Sequence, residues 1–119
     1  MMSDHRELGA AGESVAARYL QRLGMRILGR NWRCPLGELD IIAADGAQLV
    51  VCEVKTRRST AYGTPAESVS AEKASRIRAL ALRWRRDHGI PPCPTRFDIV
   101  AILWPRGGLP SVRHLIGAF

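Results

Sequence analysis

At 119 residues the chain has room for one hydrophobic core and not two, and 46% apolar with 24% charged residues is the mix of an ordinary globular domain spanning residues 1–119. No apolar run approaches the ~18 residues of a membrane span, and the polar opening Met1–Glu7 holds no signal-peptide core. Cys34, Cys52 and Cys93 match no zinc or redox spacing, which leads to the expectation of free thiols in a reducing cytoplasm. A net charge of +7 favours an anionic partner, nucleic acid before membrane surface or acidic protein.

Asp4 with Glu7 three residues on reads as a capping box opening a helix. Leu8, Val15, Ala16, Tyr19, Leu20 and Leu23 recur at helical spacing, and Gly24 closes the run. Gly9 and Gly12 weaken the first turns of this helix and suggest a close approach by another element. Glu13 borders the buried stripe, either reaching outward to water or looking towards the sheet. Met25 to Arg33 reads as a strand ending at the turn Cys34-Pro35-Leu36-Gly37. Two further strands follow, Leu39 to Ala44 and Leu49 to Lys55, around the hairpin signal Asp45-Gly46.

Thr56 to Ala66, with Arg57, Arg58, Tyr62, Gly63 and Pro65, reads as a loop. A second helix runs from Glu67 or Ser70 to His88, with Val69, Ile77, Leu80, Ala81 and Trp84 as its apolar stripe. Lys73 lies on that apolar side in the first turn, where its stem can pass over the core. Arg96 to Trp104 and Ser111 to Ile116 complete the chain as strands, so the order is αβββαββ, a mixed α/β or α+β sheet flanked by helices. His5, His88 and His114 are scattered and carry no assigned chemistry.

The second and third strands hold the chemistry. Their apolar residues on both faces describe interior strands of a covered sheet. Glu38 and Asp40 share one face, as do Val51, Glu53 and Lys55. A two-residue loop sets Asp40 opposite Val51, whereas a four-residue loop pairs Ala44 with Leu49 and sets Asp40 opposite Glu53. Either register gathers the three carboxylates and Lys55 on one face. Like charges so placed destabilise a sheet unless compensated. Magnesium, which takes oxygen ligands and keeps waters, is one compensator. A solvated face with a Glu53–Lys55 ion pair is the plainer alternative.

The stretches Gly12-Glu13, Asn31, Gly37-Glu38-Leu39-Asp40-Ile41-Ile42, Glu53-Val54-Lys55-Thr56-Arg57, Tyr62-Gly63, Lys73 and Phe97-Asp98 resemble the YraN-like family of small bacterial proteins. More broadly, the element order with an acidic strand and Glu-x-Lys resembles the restriction-endonuclease-like superfamily, whose signature is written PD-(D/E)xK. Leu39 stands where that signature has proline. Similarity to Holliday-junction resolvases implies a Mg2+- or Mn2+-dependent endonuclease acting on structured or branched DNA. On that resemblance Asp40 and Glu53 hold metal, Glu13 adds a helix-borne ligand, and Lys55 orients the attacking water and stabilises phosphate charge. Arg57 and Arg58, leaving the third strand after Lys55, and Lys73 on the second helix are expected to contact the nucleic-acid backbone. Junction cutting would suit a homodimer. A non-catalytic nucleic-acid-binding module and a protein-partner-binding protein are the competing readings.

Overall fold

The computed structural model describes residues 4–61 and 69–119. Along the chain run α1 (Asp4–Arg22), β1 (Arg26–Cys34), β2 (Gly37–Asp45), β3 (Gln48–Arg57), α2 (Ala71–Asp87), β4 (Thr95–Leu103) and β5 (Ser111–Leu115). The expected αβββαββ order is therefore the observed one. The five strands form one sheet in the order β1-β2-β3-β4-β5. All neighbours are antiparallel except β3 and β4, whose parallel pairing is made possible by the crossover through α2.

The sheet separates two apolar clusters. Ala16, Ala17 and Leu20 of α1 pack on Ile41, Ala43, Val50, Cys52, Val100 and Ile102. On the opposite face Ile77, Leu80, Ala81 and Trp84 of α2 pack with Leu39, Ile42, Leu49, Val51 and Phe97. The central strands are thus apolar on both faces because a helix covers each. Gly12 lets α1 seat directly on β3, since a Cβ there would overlap Thr56 Oγ1. Gly9, the other glycine of this helix with a suspected close approach, has nothing within 4 Å of the same position.

Several boundaries differ from those expected. The tight turn between β2 and β3 is Gly46-Ala47, with Asp45 paired to Gln48, so Ala44 faces Leu49. This is the register that directs Asp40 towards Glu53. Strand β3 also continues past Lys55 through Thr56 and Arg57, because both pair with β4 (Ile102 and Leu103) where a loop was expected. Tyr62, Gly63, Pro65, Ala66 and Glu67 lie outside the described residues. Helix α2 begins at Ala71 with Ser70 as its cap, the Ser70 hydroxyl accepting from the Lys73 N–H at 3.1 Å. The Asp4 carboxylate, expected in a capping box, instead accepts from Arg58 and Arg106, each at 2.9 Å.

Candidate functional site

The site lies where β2 and β3 stop pairing. Their ladder ends at Ile41↔Cys52, and beyond it the Val54 N–H is taken by Asp40 Oδ2 at 2.8 Å. A side-chain carboxylate thus replaces a strand carbonyl, satisfying a donor that would otherwise be orphaned. A backbone irregularity on β1 lies at the same level. Asn31 has φ 51°, a left-handed conformation, and lies across from Asp40 between the pairs Arg30↔Ile41 and Trp32↔Leu39. At this level both strands reset their facing. Leu39 and Ile42 lie in the α2-side cluster although Ile41 lies in the α1-side one. Strict alternation would have placed Leu39 with Ile41. Asparagine is one of the few side chains that adopts this backbone without large cost.

Around Asp40 the chain assembles an acidic pocket of about 210 Å³ lined by Gly37, Glu38, Asp40, Glu53, Lys73, Arg76, Ile77 and Leu80. Gly37 opens β2 at φ 145°, with α2 so near that a Cβ would stand 3.2 Å from Leu80 Cδ1. Glu38 turns to the rim, ion-paired with Arg33 at 3.0 Å. Glu53 is nearly buried, its side chain 11% exposed, and Lys73 Nζ of α2 lies 2.7 Å from its Oε1. The Lys73 stem passes over the core towards the strand, as its place in the first turn suggested.

Burial raises the Asp40 pKa first, followed by repulsion from Glu53. The Val54 N–H opposes them, while Glu13 and a hydrogen bond with Glu53 add to the rise, to about 7. Two carboxyls sharing a poorly hydrated space cannot both ionise cheaply. Lys55 is lowered from the ordinary lysine value by burial and by the charge and hydrogen bond of Lys73, against the pull of Glu53 and Asp40. Burial also acts to lower Lys73, but its hydrogen bond and charge interaction with Glu53 outweigh this and hold it raised. The charges of Glu53 and Glu13 thus both act on Asp40, and Lys55 and Lys73 act on each other beside Glu53. Among the described residues no group of three or more His, Cys, Asp or Glu side chains is arranged to hold a metal ion.

The two arginines after Lys55 part company. Arg57 faces a basic groove with Lys55 and Arg113. Arg58 is held on Asp4 and on the Trp104 carbonyl, at 2.9 and 3.2 Å. The three cysteines are free, and burial, with the Asp98 charge next, pushes the Cys52 thiol up to about 12, so it is inert.

Sequence reading missed a second polar centre. Asp98 is fully buried, and its carboxylate accepts from Arg96 Nε and Nη2 and from the Gly117 N–H, each at 2.9 Å. His114 Nε2 lies 2.7 Å from Asp98 Oδ2, and the Tyr19 hydroxyl lies 3.1 Å from His114 Nδ1. Burial acts to raise Asp98, but the hydrogen bonds from Arg96, Gly117 and His114 together with the Arg96 charge hold it below the usual carboxylate range. A lone aspartate inside the apolar run Phe97–Leu103 was the available signal.

Among the described residues, fold and site together define a two-helix, five-stranded mixed α/β protein with an acidic pocket at the splayed end of its central strands. The chain belongs to the family described as "Uncharacterised protein family UPF0102", whose family model matches residues 12–102. This is the YraN-like group that its motifs resemble. It is 51% identical over 118 residues to a UPF0102 protein of Rhodococcus jostii, covering 99% of this chain and 100% of that one. A UPF0102 protein of Frankia alni is 53% identical over 112 residues, covering 94% and 93% of the two chains. One from Renibacterium salmoninarum is 50% identical over 111 residues, covering 93% and 94%.

Proposed function

We propose that the protein is a metal-dependent phosphodiesterase acting on structured or branched DNA, with Asp40, Glu53 and Lys55 as its catalytic set. The observation that carries this reading is the pair of crowded carboxyls. Asp40, raised to about 7, and Glu53 sit together at a strand end beside two lysines. A purely structural sheet end has no use for such a costly arrangement, and perturbed acids in a pocket are more frequent at reacting centres.

The donor set fits a hard divalent cation. Asp40 and Glu53 offer carboxylate oxygens from one pocket, and magnesium readily completes its shell with waters and phosphate oxygens. When bound, such an ion supplies Lewis acidity towards a phosphate and lowers the pKa of a water. The chain's own residues divide the remaining work. Asp40, anchored by Val54, keeps its carboxylate fixed at the strand end. Lys55, lowered from the ordinary lysine value, is suited to take a proton from the attacking water or to hydrogen-bond a phosphate oxygen. Lys73 neutralises Glu53, a charge that a bound cation would otherwise balance.

The test is a panel of linear, flapped and four-way DNA with magnesium or manganese, run beside Asp40→Ala. Cleavage that needs the divalent ion and disappears in the variant supports the reading. No cleavage of any substrate, with no divalent-dependent rise in melting temperature, overturns it. The Lys73–Glu53 ion pair supports a second reading, a non-catalytic nucleic-acid-binding module, because it balances Glu53 without metal. On that reading Lys73→Ala leaves the protein no more responsive to magnesium than the parent. On the catalytic reading it releases Glu53 and enlarges the magnesium-dependent melting shift.

A further inference from the structure

We propose that the α2-side face of the sheet between β3 and β5 holds a single unpaired nucleotide of a DNA strand entering the acidic pocket. This proposal rests on the nucleic-acid reading above. In register, Lys55 of β3 neighbours Ala101 of β4, which neighbours Arg113 of β5; in the next row stand Arg57, Leu103 and Ser111. Residues in one row share a face of the sheet. The short Ala101 side chain between two long cations leaves a trough, and Leu103 extends its floor. Helix α2 packs mainly on β2, away from this part of the face. The resulting groove has a volume of about 250 Å³.

The charged residues lining it are Lys55, Arg57 and Arg113, without a carboxylate among the described residues. That is the charge complement of a phosphodiester backbone. The floor is apolar, which suits a base or sugar and not a free phosphate. The groove is smaller than the ~300–1,000 Å³ of pockets for drug-sized ligands, so it takes one nucleotide and excludes a base pair. No aromatic residue among those described lines it. Affinity there comes from phosphate contacts and not from stacking, so it depends steeply on salt and little on sequence. The groove also adjoins the acidic pocket. Glu53 and Lys55 stand two positions apart on the same face of β3, one in each. A strand held on Lys55 and Arg113 therefore runs towards Asp40.

The experiment measures fluorescence anisotropy of a labelled oligothymidine and of a blunt duplex across a salt series, in EDTA. The proteins are the parent, Arg113→Ser and Ala101→Leu, with melting curves as fold controls. Ser111→Glu, at an exposed edge position, replaces Ala101→Leu if that variant does not fold. Arg113→Ser should reduce the salt slope for the single strand by ~0.7 for each phosphate it no longer holds. Filling the trough should weaken single-strand binding ~10-fold and affect the duplex less. Unchanged slope and unchanged single-strand affinity overturn the proposal. A cleavage assay with magnesium on the same proteins separates the two readings. Altered single-strand binding in the groove variants of a parent that cuts nothing keeps the groove and removes the phosphodiesterase. Cleavage by a parent whose groove variants bind as it does keeps the phosphodiesterase and removes the groove.

Discussion

Glycines 9 and 12 of α1 lie one turn apart, and an added methyl group should move stability in opposite directions at the two sites. At Gly9 the new Cβ meets nothing within 4 Å. Gly9→Ala should then gain the helix-propensity difference, ~0.8–1 kcal/mol. At Gly12 the Cβ would overlap Thr56 Oγ1 and stand 2.8 Å from Thr56 Cβ and Cγ2, so α1 must move off β3 or Thr56 must yield. Overpacking of this kind costs ~1–3 kcal/mol, and an overlap this deep belongs at the upper end, so Gly12→Ala should lose ~1–2 kcal/mol after the propensity gain. Unfolding entropy of ~2.1 cal/mol/K per residue converts 1 kcal/mol into ~4 °C for a chain of this length. Calorimetry should therefore put Gly9→Ala ~3–4 °C above the parent and Gly12→Ala ~4–8 °C below it. The double variant Gly12→Ala/Thr56→Ala should recover part of the loss, the signature of two residues in contact. Equal shifts for both glycines, or no recovery, would refute a direct seating of the helix on this strand.

Three further outcomes are expected. Asn31→Gly should melt within ~1 °C of the parent, whereas Asn31→Val should lose ~1–2 kcal/mol in urea unfolding, because only the former keeps the left-handed backbone cheaply. For Asp40 the folded state binds the proton up to about pH 7 while the unfolded chain releases it near ~3.9, so native stability should fall as pH rises through that interval. Asp40→Asn should flatten this slope in melting curves from about pH 4 to 8 and melt higher than the parent at the alkaline end. Asp98→Ala removes one partner of a buried ion pair and should cost ~3–5 kcal/mol in urea at about pH 7. Its native pKa is lowered, so that contribution exists above the unfolded value and fades as pH drops below ~3.9; the gap to the parent should narrow near about pH 3.

The helices and strands were legible because hydrophobic spacing marks them directly. Ile77, Leu80, Ala81 and Trp84 are the buried residues of α2, and Leu8, Ala16 and Leu20 are among those of α1. The gathering of Asp40 with Glu53 followed from strand parity, since either even-length turn brings them to one face. What escaped was set by tertiary geometry. Thr56 and Arg57 look like loop residues until β4 offers them partners. Arg57 and Arg58 are adjacent in sequence, yet strand alternation sends one to the groove and Asp4 holds the other. Asn31 gave no periodic signal because its role lies in one backbone angle. The Asp98 centre joins residues from α1, β4, β5 and the turn after it, a combination that no local pattern encodes.

The carboxylate of Asp98 resolves an ambiguity that the apolar strands create. With Val, Ile and Ala on both faces, β4 could slide along its edge neighbour β5 and still bury nearly the same oily surface. Such a slip would strand an ionised group among methyls, away from the imidazole and the amide that reach it from β5 and the turn after it. Asp98 is the one charged residue among the buried residues described. It therefore acts as a key cut for a single alignment, penalising misaligned sheets more than it strengthens the correct one. A leucine in its place would preserve greasiness while relaxing that discrimination. The groove proposed between β3 and β5 would then depend on an edge strand whose alignment was no longer unique.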